Sequence, residues 1–123
     1  MCGFAGFTNF IKDNGEVLEK MMDRIVHRGP DSAGKFIDED IALGFRRLSI
    51  IDLEGGSQPI YNEKKDKVIV FNGEIYNYKE IKEDLIKKGH VFSTESDTEV
   101  LLHGYEEYKE KILDKLRGMF AFI

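Results

Sequence analysis

Apolar positions in this chain change their period from segment to segment, and each period points to an element. Cys2 to Phe7 are small or aromatic residues with two glycines among them, which suits a strand whose backbone lets another group approach closely. Val17, Leu18, Met21, Met22 and Ile25 recur at helical spacing, so an amphipathic helix is predicted over about Glu16 to Val26, with its methionines as core filler. It stops before Arg28-Gly29-Pro30. Gly34 to Ile37 and Ile41 to Arg47, separated by the acidic trio Asp38, Glu39 and Asp40, read as a hairpin. An irregular segment runs from Ser49 to Ser57. Lys67 to Phe71 is a β-branched run and predicts a strand that ends at Asn72-Gly73. Asn77 with Glu80, and Ser96 with Glu99, have the spacing of capping boxes. The helices that follow them turn Tyr78, Ile81 and Leu85, then Leu101, Tyr105 and Tyr108, inward, and Gly89 stops the first. Met119 to Ile123 reads as a buried strand. The order strand, helix, several strands, helix, short strand, helix, strand suits sheet layers with packed helices.

Composition narrows the class. With 123 residues, 41% of them hydrophobic, the chain can form one domain with a core but not two. A net charge of -5, with Lys and Glu interleaved, leaves no basic stripe for a nucleic acid, and the charged runs are solvated helix faces. No apolar stretch approaches the ~20 residues needed to span a bilayer. The N-terminus has neither the basic start nor the apolar run of a secretory signal, so the cytoplasm is the expected location. His27, His90 and His103 have no spacing that suggests a metal site, and His103, within a helix, reads as a structural histidine.

One cysteine excludes an internal disulfide and draws attention to its position. Cys2 follows Met1 directly, so removal of Met1 would put a thiol and a free amine on the same carbon. The thiolate is the reactive form of cysteine, and an α-amine with a pKa near ~8 can take the thiol proton at neutral pH without a histidine. One residue would then be both nucleophile and base.

Four further blocks accompany Met1-Cys2-Gly3. They are His27-Arg28-Gly29-Pro30-Asp31-Ser32, Arg47-Leu48-Ser49-Ile50-Ile51-Asp52, Asn72-Gly73-Glu74-Ile75-Tyr76-Asn77 and Ser96-Asp97-Thr98-Glu99-Val100. In this order and spacing they resemble the N-terminal glutaminase domain of glutamine-hydrolysing asparagine synthetases, which are class II glutamine amidotransferases. The resemblance covers residues 1–123. It implies an α+β fold of the N-terminal nucleophile hydrolase type, with layered antiparallel sheets and packed helices. Amidotransferases that make glucosamine phosphate or phosphoribosylamine share the terminal Cys, the Asn-Gly pair and the Ser-Asp-Thr-Glu stretch. The Arg-Leu-Ser-Ile-Ile-Asp block, the Gln58-Pro59 pair and the Asn-Gly-Glu-Ile-Tyr-Asn block look like the asparagine synthetase branch, which also includes paralogues with other acceptors.

The resemblance implies a role for each matched position. Cys2 would attack the carboxamide of glutamine, and Asn72 and Gly73 would stabilise the oxyanion. Arg47 would grip the α-carboxylate with its planar fork, and strand alternation would send Arg46 to the opposite face. Asp97, assisted by Glu74, would bind the α-ammonium, and the backbone near Leu48 and Ile50 would add contacts. The His27 to Ser32 loop would lie near the site.

In the family further strands and an ATP-dependent synthetase domain follow. A chain ending within an apolar segment therefore reads as the N-terminal part of a glutaminase domain, with no ATP, Mg or other cofactor expected within it. The expected partners are glutamine, the synthetase domain of the parent chain, and a second copy pairing with the open strand near Phe120. The competing readings are a non-enzymatic fragment that keeps the fold, and an amidotransferase with a different acceptor.

Overall fold

A computed structural model describes residues 2–8, 12–49 and 57–123. Among the described residues, seven strands and three α-helices follow one another as β1 (Gly3–Thr8), α1 (Asn14–Arg24), β2 (Ser32–Ile37), β3 (Ile41–Arg47), β4 (Ile60–Tyr61), β5 (Val68–Ile69), β6 (Phe71–Ile75), α2 (Tyr78–Lys87), α3 (Asp97–Tyr108) and β7 (Gly118–Phe122). A 3-10 turn, Val26–Arg28, follows α1, and a second, Lys109–Lys115, leads into β7. All three sheets are antiparallel: β1-β3-β2, β4-β5 and β6-β7.

Side-chain alternation along β3 organises the layers. Ala42 packs with Leu18 and Met22 of α1, and Gly44 leaves the space that the Met22 side chain fills. Leu43 and Phe45 point the other way and meet Val70, with Phe4, Phe36 and Val68 around them. The second sheet alternates likewise. Phe71 and Ile75 pack beneath Ile81 and Leu85 of α2 and Val100, Leu101 and Leu102 of α3, and Phe120 and Phe122 join that cluster from β7. The result is four layers in the order α1, three-stranded sheet, β6-β7 sheet, α2-α3.

The hairpin expected from Gly34 to Arg47 is present, closed by the Asp38 carboxylate, which accepts from the N–H groups of Asp40 and Ile41 at 2.8 Å each. Ser96 caps α3 as its spacing predicts, accepting from Glu99 N–H at 3.2 Å. The Glu99 carboxylate, however, turns to Ser93 and Thr94. Burial alone would raise the Glu99 carboxyl, but hydrogen bonds from those two residues hold it below its ordinary value. Asn77 makes no side-chain cap on α2; its amide instead donates to Lys115 O and accepts from Arg117 N–H, tying the helix start to the approach to β7.

Four other expectations are corrected. Asn72-Gly73 does not end a strand. The run from Lys67 splits at Val70, and Asn72 and Gly73 lie inside β6, paired with Ala121 and Phe120. No strand forms between α2 and α3. Tyr105 is 40% exposed instead of inward, because Leu101, Leu102 and Ile112 already fill that part of the core. Met119 to Ile123 contains the expected strand, but it is not buried: it pairs with β6 on one edge only and leaves Met119 72% exposed. Most of the Ser49 to Ser57 segment, with Ile50, lies outside the described residues.

Candidate active site

The two sheets open into a cleft at the end where β1 begins and β3 ends. Cys2 stands immediately before β1, half-buried. Its sulfur accepts from Leu48 N–H at 3.4 Å, and its carbonyl accepts from Arg28 Nε at 3.1 Å. The nucleophile candidate is thus held on both sides, by the residue that follows β3 and by the turn after α1. The Arg28-Gly29-Pro30-Asp31 loop braces the end of β3: Asp31 N–H donates to Arg47 O at 3.0 Å, and the Asp31 carboxylate accepts from Ser49 N–H at 2.6 Å. This explains why an acid follows Gly-Pro here, a signal that spacing alone leaves silent.

Arg46 and Arg47 separate as alternation requires. Arg47 shares the parity of Leu43 and Phe45, lines the cleft and is only 8% exposed. Arg46 faces α1, where it donates to Met22 O and pairs with Asp23 at 2.8 Å.

From the other sheet, Asn72 and Glu74 share the parity of Val70, and both line the cleft. Hydrogen-bond alternation gives the backbone its own polarity. Val70 and Ile123 exchange two bonds at 3.0 Å, so Val70, Asn72 and Glu74 turn their main-chain groups toward β7, and Phe71, Gly73 and Ile75 turn theirs to the open edge. On that edge Phe71 N–H donates to the Gln58 side chain at 2.6 Å and Ile75 N–H donates to Asp97 Oδ2 at 3.0 Å. The Gly73 N–H lies between them and points into the cleft. A side chain at Gly73 would run into the backbone of Met119 and Phe120, so glycine is required by close approach.

Asp97, the first residue of α3, completes the wall. Burial pushes its carboxyl above the usual carboxylate range and the neighbouring Glu74 charge adds to that, against the Ile75 N–H bond, which favours the ionised form. A raised value in the folded state means that ionised Asp97 costs stability once pH exceeds the ordinary Asp range. Asp97→Asn, which keeps an acceptor for Ile75, should therefore be at least as stable as the wild type in urea at pH 7, and the difference should vanish on acidification below that range. A less stable variant at pH 7 would contradict this.

The cleft measures about 290 Å³ and is lined by Cys2, Arg47, Leu48, Asn72, Gly73, Glu74 and Asp97, together with Gln58, Ser96 and Thr98. Every site residue anticipated from the sequence is gathered there except Ile50, which lies outside the described residues. The arrangement offers a sulfur nucleophile, amide donors, one cation and two carboxylates, the set required to hold a zwitterionic amino acid and attack its side chain.

A separate cluster forms where the segment after α2 meets α3. The fold brings His90, His103 and Glu106 within 4.8 Å of one another, which spacing did not suggest. His103 Nδ1 is 2.8 Å from Glu106 and its Nε2 is 3.5 Å from Glu99, so the buried ring has a carboxylate at each nitrogen. Of the two contacts, the one to Glu106 is a hydrogen bond.

The sequence pattern of the glutamine amidotransferase domain family matches residues 1–123. The chain belongs to that family. This amidotransferase domain is 55% identical over 128 residues to asparagine synthetase [glutamine-hydrolyzing] 1 of Bacillus subtilis (strain 168), an alignment that covers 100% of the chain and 20% of the relative. It is 44% identical over 126 residues to asparagine synthetase [glutamine-hydrolyzing] of Zea mays, covering 100% of the chain and 21% of the relative. The chain thus spans about a fifth of the length of these curated relatives. Among solved structures, glutamine phosphoribosylpyrophosphate amidotransferase from B. subtilis, complexed with ADP and GMP, superposes with a TM-score of 0.76 at 21% identity, over 99% of the chain and 34% of that structure. The fold of the amidotransferase domain is accordingly of the N-terminal nucleophile hydrolase type, as its motifs imply. Among the described residues no helix is long and apolar enough to cross a membrane.

Proposed function

We propose that the chain hydrolyses glutamine to glutamate and ammonia through a thioester on Cys2, and that the parent protein transfers the ammonia to an activated aspartate to make asparagine. The observation that carries this reading is the convergence of Cys2, Arg47, Asn72, Gly73, Glu74 and Asp97 on one cleft. Arg47 receives the α-carboxylate of glutamine, and Asp97 with Glu74 receives the α-ammonium, whose positive charge offsets the cost of holding two carboxylates together. The side-chain carboxamide then lies against Cys2. Once Met1 is removed, the α-amine takes the thiol proton and sulfur attacks the carboxamide carbon. Negative charge develops on oxygen and is met by the Asn72 side-chain amide and the Gly73 N–H. Collapse of the tetrahedral intermediate expels ammonia, which leaves with the proton held by the α-amine. Water, activated by the same amine, attacks the glutamyl thioester, releasing glutamate and restoring the thiol.

The relatives' names, asparagine synthetase [glutamine-hydrolyzing], support glutamine as the nitrogen source and asparagine as the product. The synthetase portion that would consume the ammonia, with its ATP and Mg, is assigned to the parent protein. To test the glutaminase reading, the protein is incubated with a glutamine-like diazo ketone that alkylates glutaminase cysteines, and its intact mass is recorded. A chain without Met1 carrying a single adduct, absent in Cys2→Ala, is the expected result. A Met-free chain that takes up no adduct would overturn it. Asp97→Asn should raise the glutamine KM, since the ammonium loses one of its two counter-charges.

A further inference from the structure

Resting on the glutaminase reading, we propose that Gln58 is a positioning residue for glutamine hydrolysis, setting the open edge of β6 so that the Gly73 N–H meets the oxyanion. Gln58 uses both ends of its amide on a single residue: Oε1 accepts from Phe71 N–H at 2.6 Å, and Nε2 donates to Phe71 O at 3.1 Å. This two-point pairing imitates a strand neighbour for one residue and then stops. Asp97 takes Ile75 N–H at 3.0 Å on the far side. The two side chains therefore clamp the positions either side of Gly73 and leave its N–H as the donor facing the cleft.

The backbone of Gln58 is anchored elsewhere. A Cβ added to Gly34 in β2 would collide with the Gln58 carbonyl and come within 3.0 Å of Pro59 Cδ, so this segment lies directly on the three-stranded sheet. That sheet carries Cys2 and Arg47 at its cleft end. Gln58 thus spans the two bodies whose relative placement sets the distance between nucleophile and oxyanion donor: its main chain rests on one and its side chain grips the other. It also lines the cleft.

A residue with this task should affect the chemical step more than substrate binding. In the full-length protein, Gln58→Leu should lower kcat for ammonia release by about 10- to 100-fold, the range expected when a reacting group is misplaced by about 1 Å, with KM within about threefold of wild type. Alkylation of Cys2 by iodoacetamide, which needs no oxyanion stabilisation, should proceed at the wild-type rate. Gln58→Glu keeps the acceptor for Phe71 N–H but sets a carboxylate against the Phe71 carbonyl, and its kcat should fall between those of wild type and Gln58→Leu. This variant keeps the side-chain volume and supplies the answer if the leucine protein does not fold.

An unchanged kcat in both variants would overturn the inference while leaving the glutaminase reading intact. So would a rise in KM that accounts for the whole loss, which would make Gln58 a substrate contact, or a parallel fall in Cys2 alkylation, which would make it a general structural prop. A wild-type protein that releases no ammonia from glutamine would overturn the glutaminase reading, and the role of Gln58 with it.

Discussion

Cys2→Ala should abolish glutamine hydrolysis, lowering kcat by about 10⁴-fold or more, because the proposed acyl intermediate forms on its sulfur. The fold should survive the change. Cys2 precedes β1, is half-buried, and makes two weak bonds through sulfur, both to the Leu48 backbone, while its carbonyl, which accepts from Arg28, is retained in the variant. Glutamine should still bind, since Arg47, Glu74 and Asp97 are untouched. The measurement is ammonia release alongside glutamine binding by calorimetry, both on protein whose mass shows that Met1 is absent. A variant that binds glutamine and does not turn it over fits the assignment, and residual turnover within tenfold of wild type would remove Cys2 from the reaction. A companion protein that retains Met1 keeps the sulfur but locks the amine in a peptide bond. It too should be inactive, which separates the contribution of the base from that of the nucleophile.

Asn72→Ala should cost about 10² to 10³ in kcat with little change in KM, the loss typical of removing one oxyanion donor. Its neighbour cannot be tested as simply: a side chain at Gly73 meets the backbone of β7, so Gly73→Ala would disturb the sheet as well as the donor. Asn72 has no such difficulty, because its side chain points into the cleft while its main chain pairs with Ala121. Steady-state kinetics on Asn72→Ala and Asn72→Asp would separate the possibilities. The aspartate variant places a negative charge where one develops and should be the worse of the two. A change confined to KM would mean that Asn72 holds the substrate in its ground state and not in the transition state.

Much of the fold was legible because its signals are local. The period of Val17, Leu18, Met21 and Met22 defined α1, the acidic trio defined the β2-β3 turn, and alternation put Arg46 and Arg47 on opposite faces, with the family resemblance choosing Arg47 for the site. The failures share a cause. Asn-Gly favours a tight turn in isolation, and only pairing with β7, some fifty residues later in the chain, draws it into a strand. Asn77 has the spacing of a capping residue but finds Lys115 and Arg117 across space. Of the site, the motifs picked out residues that gather on the cleft, but gave Arg28, Asp31 and Gln58 no partners. Arg28 on the Cys2 carbonyl, Asp31 on Ser49 and Gln58 on Phe71 act through side-chain bonds to a distant backbone, which leave no periodic trace.

The shared parity of Leu43, Phe45 and Arg47 constrains how this region can diverge. Loss or gain of a single residue within β3 would turn Arg47 out of the cleft and two core side chains out of the layer between the sheets together, whereas a paired change would restore both faces. The proposed grip on the substrate carboxylate is thereby tied to hydrophobic register. A one-residue slip in this strand would disturb the core and the cleft in the same step.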